Sequence, residues 1–247
     1  MTDRPFLIVS DIHLGSVPDT TERAFRRFLE VEAAGASGLL INGDLFDFWF
    51  EYRTVVPRKH FRVLGALASL VESGVAIWFV GGNHDAWGGG FLEDDVGITV
   101  LRGPLTMTLA GRRTLIAHGD GVGTGDVGYR MLKALIRHPV TVSAFRLIHP
   151  DWGAWIADRV SSTDEKAALE DATGLTRARP ILAWAREQLL GDESLDLVVA
   201  GHSHVPEIAE VAPGRFYANS GDWVRHSSYL VLSSEERAPS LRSWPRE

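Results

Sequence analysis

The residues best suited to chemistry in this 247-residue chain fall in five short segments. "SDIHLG" carries Asp11 and His13, "NGDLFDFW" carries Asp44, and "GGNHD" carries Asn83, His84 and Asp85. "HGD" supplies His118 and Asp120, and "GHSH" supplies His202 and His204. Each alone reads as a hydrogen-bonded turn, since glycine supplies unusual backbone angles and aspartate bonds its own backbone. Together they hold five of the nine histidines; His60, His138, His149 and His226 lie elsewhere and are expected to be surface or packing residues. Carboxylate, carboxamide and imidazole donors without sulfur suit Mn, Fe, Zn or Mg. Two ions fit this many donors better than one. Such a pair, roughly 3.5–4 Å apart, clamps the attacking and leaving oxygens of an in-line phosphoryl displacement. An anionic carboxylate such as Asp44 can bridge the two.

What must position these groups is a sheet. The segments follow apolar runs of the kind that form buried strands, at Phe6 to Val9, Gly38 to Ile41, Val75 to Val80, Thr114 to Ala117 and Leu195 to Ala200. Between the first three lie helical patterns, Phe25, Phe28, Leu29 and Glu32 on one period and Val63, Leu64, Leu67 and Leu70 on another. Alternating strands and helices predict a parallel α/β sheet whose strands all deliver their carboxyl ends to one crevice. From Val205 onward, "RFYANS" and "SSYLVLS" alternate as antiparallel strands would and point to a second sheet, and "RAPSLRSWPRE" reads as an edge piece and tail. Residues 121 to about 190 show no strand pattern and are expected to form a helical insertion in a single domain spanning 1–247.

Composition bounds the partners. With 25 basic and 32 acidic residues the formal charge is -7, which argues against a general electrostatic grip on nucleic acid. There is no cysteine, which excludes disulfides, zinc-thiolate sites and thiol nucleophiles. The N-terminal apolar stretch is too short for a signal peptide and no run approaches a membrane span, so a cytoplasmic protein, with contact at a membrane surface left open, is the expectation.

Taken in order, "SDIHLG", "NGDLFDFW", "GNHD", "HGD" and "GHSH" resemble the motifs of the calcineurin-like metallophosphoesterases. The resemblance implies a four-layer α/β/β/α sandwich with two mixed sheets and metals at the strand ends. It implies Asp11, His13, Asp44 and His204 around one metal, and Asp44, Asn83, His118 and His202 around the other. It also implies His84 and Asn83 as the catalytic residues, with His84 stabilising the transition state or leaving group. Asp85 is a candidate to orient His84, although for Asp85, Asp120 and Asp222 turn formation is an equal alternative. Within the superfamily the chain is most similar to the UDP-2,3-diacylglucosamine hydrolases of lipid A synthesis, through "GDLFDFW", "HGD" with its following loop and Tyr129, the helical insertion, and "NSGDW". That likeness implies two Mn2+ ions and substrate contacts at Trp49, Asn83, Tyr129, Arg159, Ser162 and Lys166. It further implies a lipid-linked nucleotide sugar as substrate and peripheral contact with the inner membrane surface. The chain departs from many members of that group at His84, where they have arginine.

The insertion separates the candidate substrates. Leu132, Leu135 and Ile136, then Val142, Phe145 and Ile148, then Trp152, Trp155 and Ile156 recur at helical spacing, alongside a basic excess over residues 129–160. Such a stripe either faces a core or lines a chamber for acyl chains. The first reading leaves open hydrolysis of soluble nucleotides, the second favours the diacylated substrate. A non-catalytic binding scaffold is the remaining alternative, and it is disfavoured because every donor position is filled.

Overall fold

A computed structural model describes residues 4–85, 87, 89–122, 138–153, 155 and 175–245. The first sheet has the order β11-β10-β1-β2-β3-β4. Strands β1 (Phe6–Val9), β2 (Gly38–Asn42), β3 (Ala76–Val80) and β4 (Thr99–Leu101) run parallel, while β10 (Ser228–Leu232) and β11 (Ser240–Ser243) add an antiparallel edge. The second sheet has the order β5-β6-β7-β9-β8. There β6 (Arg112–Ile116), β7 (Leu197–Ala200) and β9 (Arg215–Asn219) are parallel, flanked by antiparallel β5 (Leu105–Leu109) and β8 (Glu207–Ala212).

The unbroken apolar runs of the sequence follow from burial on both faces. Phe6, Ile8, Leu40 and Val80 of the first sheet pack against Ile116, Leu197, Val199 and Ala218 of the second. On the outer face of the first sheet, Leu7, Val9, Leu39 and Ile41 meet Phe25, Phe28 and Leu29 of α1 (Asp19–Val31) and Val63, Leu64 and Leu67 of α2 (Phe61–Glu72). Short α3 (Gly90–Asp94) and α4 (Pro139–Phe145) follow in the chain. Helix α5 (Leu175–Gly191) covers the outer face of the second sheet, burying Ile181, Ala185 and Leu189 against Val198, Ala200 and Tyr217. The layers are therefore helix, sheet, sheet, helix, as the resemblance implies.

Three expectations are corrected. The "SSYLVLS" strand, β10, joins the first sheet beside β1 rather than the second. The "RFYANS" strand, β9, pairs parallel with β7 as well as antiparallel with β8. Residues 175–190 do not belong to an insertion, because their apolar face completes the second sheet's core. Three strands, β4, β5 and β8, were not named as expectations: β4 has only three residues and is a strand through its pairing with β3, whereas β5, "LTMTL", alternates strictly and carried a legible signal.

Candidate metal centre

All seven predicted donors lie on loops leaving the carboxyl ends of five strands. Asp11 and His13 follow β1, Asp44 follows β2, Asn83 follows β3, His118 follows β6, and His202 and His204 follow β7. Five of the seven occupy the left-handed backbone region: Asp11 (φ 54°), His13 (51°), Asp44 (53°), His202 (64°) and His204 (60°). That region costs an L-residue roughly 1–2 kcal/mol, and its clustering marks a site where geometry is imposed by the surroundings. The surroundings are visible: the amides of Ile12 and His13 donate to the Asp44 carbonyl (2.8 and 3.0 Å), and that of Asp11 donates to Gly43 (3.1 Å). Two glycines allow the loops to close. A Cβ at Gly43, which also has φ +88°, would overlap the His118 ring, and one at Gly82 would overlap the Asp44 carboxylate.

The donors converge into contiguous groups. Ligand atoms of Asp11, His13 and His204 lie within 4.8 Å of one another, and so do those of Asp44, His118 and His202. Asp44 lies between the two groups: its Oδ2 is 3.1 Å from His118 Nε2 and 3.8 Å from His13 Nε2. Asn83 Oδ1 approaches His118 Nε2 at 3.3 Å. His13 Nε2 is buried with no hydrogen-bond partner, as expected of an atom that serves a cation. His118 turns Nε2 inward because its Nδ1 donates to the Asn42 carbonyl at 2.8 Å. These residues fit divalent metal.

Across residues 4–206 the sequence matches the family model for calcineurin-like phosphoesterases. The chain belongs to that family. It is similar to the UDP-2,3-diacylglucosamine hydrolase of Porphyromonas gingivalis, 31% identical over 239 residues covering 90% of this chain and 91% of that relative. The enzymes of the same name from Aeromonas salmonicida (31% identity, 97% and 94% coverage) and Stenotrophomonas maltophilia (31% identity, 92% and 94%) align at similar length. This phosphoesterase is thus a metal-dependent hydrolase, and its cofactors are divalent ions.

The electrostatics of the phosphoesterase site centre on Asp44. Burial alone would raise its carboxyl, but the nearby imidazoles of His118, His84 and His13 hold it well below the ordinary carboxylate range. Burial likewise opposes charge on His118, and the Asp44 carboxylate outweighs it, holding that imidazole well above the usual histidine value. His202 moves the other way, pushed well below by burial and the charge of His118.

The structure redistributes the supporting roles. Asp85 does not orient His84 through a hydrogen bond. Its carboxylate accepts from the amides of Gly82 (2.8 Å), Asp44 (3.2 Å) and Phe46 (3.2 Å), buckling the post-β3 loop to the post-β2 loop. Burial and the Asp44 charge push its carboxyl up to about 6. The partner of His84 is Asp47, whose carbonyl accepts from Nδ1 at 2.8 Å and whose carboxylate lies 3.7 Å away. The available signal was its place three residues after Asp44 in "GDLFDFW". Trp49, predicted to touch substrate, is fully enclosed: its ring stacks on Phe46 at 4.4 Å and Nε1 donates to Glu51 at 3.0 Å. It fills the space under the loop together with His60, which is a packing residue as expected. Tyr129, Arg159, Ser162 and Lys166 lie outside the described residues, as do Leu132, Leu135, Ile136 and Ile156 of the apolar stripe.

Proposed function

We propose that this phosphoesterase holds two divalent ions, most readily Mn2+, and hydrolyses the diphosphate of UDP-2,3-diacylglucosamine to UMP and 2,3-diacylglucosamine 1-phosphate, a step of lipid A synthesis. Relatives bearing that name align over nine-tenths of the chain or more. One position is formed by Asp11, His13, Asp44 and His204, the other by Asp44, Asn83, His118 and His202. Bound there, the ions supply positive charge that acidifies water and draws charge from the phosphoryl oxygens. The protein's own part is orientation. The Asp47 carbonyl keeps the proton of His84 Nδ1 engaged, so Nε2 is the nitrogen that serves the phosphoryl or leaving oxygen. Burial opposes charge on His84, and the Asp44 and Asp47 carboxylates outweigh it and raise its pKa, which favours the donor form.

The observation in the structure that supports the choice of substrate is the apolar surface offered by Val140, Leu147, Trp152 and Trp155. Val140 is 68% exposed, Leu147 89%, Trp152 72% and Trp155 60%. The same segment is anchored to the site's own loops, where Phe145 packs on Phe50 (4.5 Å) and Trp87 (5.1 Å). Phe145 is thus a packing residue, whereas the two tryptophans offer apolar area to acyl chains and to the membrane surface where such a substrate resides. No helix among the described residues is long and apolar enough to cross a membrane. Trp152→Ala and Trp155→Ala are expected to lower kcat/KM on the diacylated nucleotide sugar by on the order of 1–3 kcal/mol each. A small chromogenic phosphodiester should be hydrolysed as by wild type. Unchanged use of the diacylated substrate would move hydrolysis of soluble nucleotides to first place.

A further inference from the structure

The "NSGDW" segment, Asn219 to Trp223, contributes no donor to either metal position, yet it is wholly buried and bonds to the loops that carry Asp11 and the His202–His204 pair. Asn219 Nδ2 donates to the Gly201 carbonyl (2.9 Å) and to Ser203 Oγ (3.0 Å), within the His202–His204 loop. The Ser220 and Ser10 hydroxyls share a hydrogen bond of 2.7 Å, and the Trp223 amide donates to the Asp11 carbonyl at 3.0 Å. At the centre is Asp222, with no exposed surface. Its Oδ1 accepts from the amides of Arg225 (2.8 Å) and His226 (2.9 Å) and from the His226 ring (3.1 Å). Its Oδ2 accepts from His204 Nδ1 at 3.1 Å, and on the far side of the same ring His204 Nε2 lies 3.5 Å from Asp11 Oδ1.

A carboxylate can only accept, so the proton of His204 resides on Nδ1 and the Nε2 lone pair is presented beside Asp11. We propose that Asp222 is a positioning residue for the ion held by Asp11, His13 and His204: it fixes the ring and tautomer of His204 and sets metal affinity at that position alone. The other position uses a different device, the Asn42 carbonyl on His118, and among the described residues none of its donors makes a hydrogen bond or ion pair with Asp222. The inference rests on the two-ion reading above.

Asp222→Asn tests it, because an asparagine cannot satisfy both sides. If its oxygen stays with the Arg225 and His226 amides, its NH2 faces His204 Nδ1 and drives the ring proton to Nε2, the ligating atom. Equilibrium dialysis with Mn2+ should show one of two ions weakened by about 10- to 100-fold and the other retained. Electron paramagnetic resonance should show an isolated Mn2+ where wild type shows a coupled pair at the same free Mn2+. Introduced into His204→Ala, Asp222→Asn should add no further loss. Two ions at wild-type affinity, equal weakening of both, or an additional loss in the His204→Ala background would each overturn the proposal. Should Asp222→Asn not fold, 15N NMR of the Zn2+-loaded wild type decides: zinc on Nε2 and a proton on Nδ1 of His204 support it, zinc on Nδ1 overturns it. A wild type that binds a single ion defeats the two-ion reading instead, and the same tautomer measurement still decides the role of Asp222.

Discussion

His84 is the residue whose environment most directly separates catalysis from metal binding. Its ring is tethered by the Asp47 carbonyl at 2.8 Å and meets the His13 ring edge-on at 4.8 Å, and its ligand atom lies within 4.8 Å of those of His13 and Asp44, so proton donor and metal ligand are the two roles to be separated. His84→Ala should lower kcat by about 10²- to 10⁴-fold, the range for loss of a positioned proton donor. Mn2+ content should stay at the wild-type level. Parallel loss of metal and turnover would make His84 a ligand. Asp47→Asn cannot serve as the same test, because His13 Nδ1 also lies 3.6 Å from the Asp47 carboxylate.

At the scale of elements, what matters is how closely the post-β2 and post-β3 loops approach. Gly82 lies over Asp44 with no room for a Cβ, whereas Gly65 in the exposed face of α2 has nothing within 4 Å of one. The same glycine-to-alanine change should thus have opposite signs. Gly82→Ala must displace the Asp44 carboxylate, and is expected to cost about 1–3 kcal/mol of stability by overpacking and at least tenfold in metal affinity. Gly65→Ala should raise stability by about 0.5–1 kcal/mol through helix propensity and leave metal binding unchanged. Chemical denaturation and metal titration of both variants check the pair. Stabilisation of similar size at both positions would mean that helix and loop glycines matter only for chain entropy.

For the molecule as a whole, the metal centre joins the two sheets. Asp11, His13, Asp44 and Asn83 come from strands of the first sheet, and His118, His202 and His204 from strands of the second. Ions bound between them hold together elements that otherwise meet through apolar contacts. Each ion at a free concentration of 100 Kd should add about 2.7 kcal/mol to stability by mass action. Chelation should then lower Tm by roughly 5–10 °C per ion for a chain of this length. Calorimetric scans with Mn2+ and with EDTA provide the comparison. Identical midpoints would show that the donor cluster takes up no ion in the folded state.

The family and the cluster of donor side chains at the strand ends were legible because both depend on short-range chemistry. A strand buried on both faces must be an unbroken apolar run, and a ligand loop at its end must carry a donor beside a glycine, as at Gly43-Asp44 and Gly201-His202. Such features survive in a one-dimensional string. What only the tertiary structure decided depends on distance across the chain. "SSYLVLS" alternates equally well for either sheet; only the fold shows it beside β1, with Leu230 and Leu232 in the core between the sheets and Tyr229 and Val231 in the outer one. Trp49 has the composition of a binding residue and the position of a core residue. Asp85 stands next to His84 in sequence but spends its oxygens on backbone amides, while Asp47, 37 residues away, holds the ring. Asp222 lies 18 residues from His204 and acquires its partner only because β7 and β9 run parallel and side by side. Residue type and spacing name the groups that can do the chemistry; which group orients which is set by the packing of separate strands, and no local pattern encodes it.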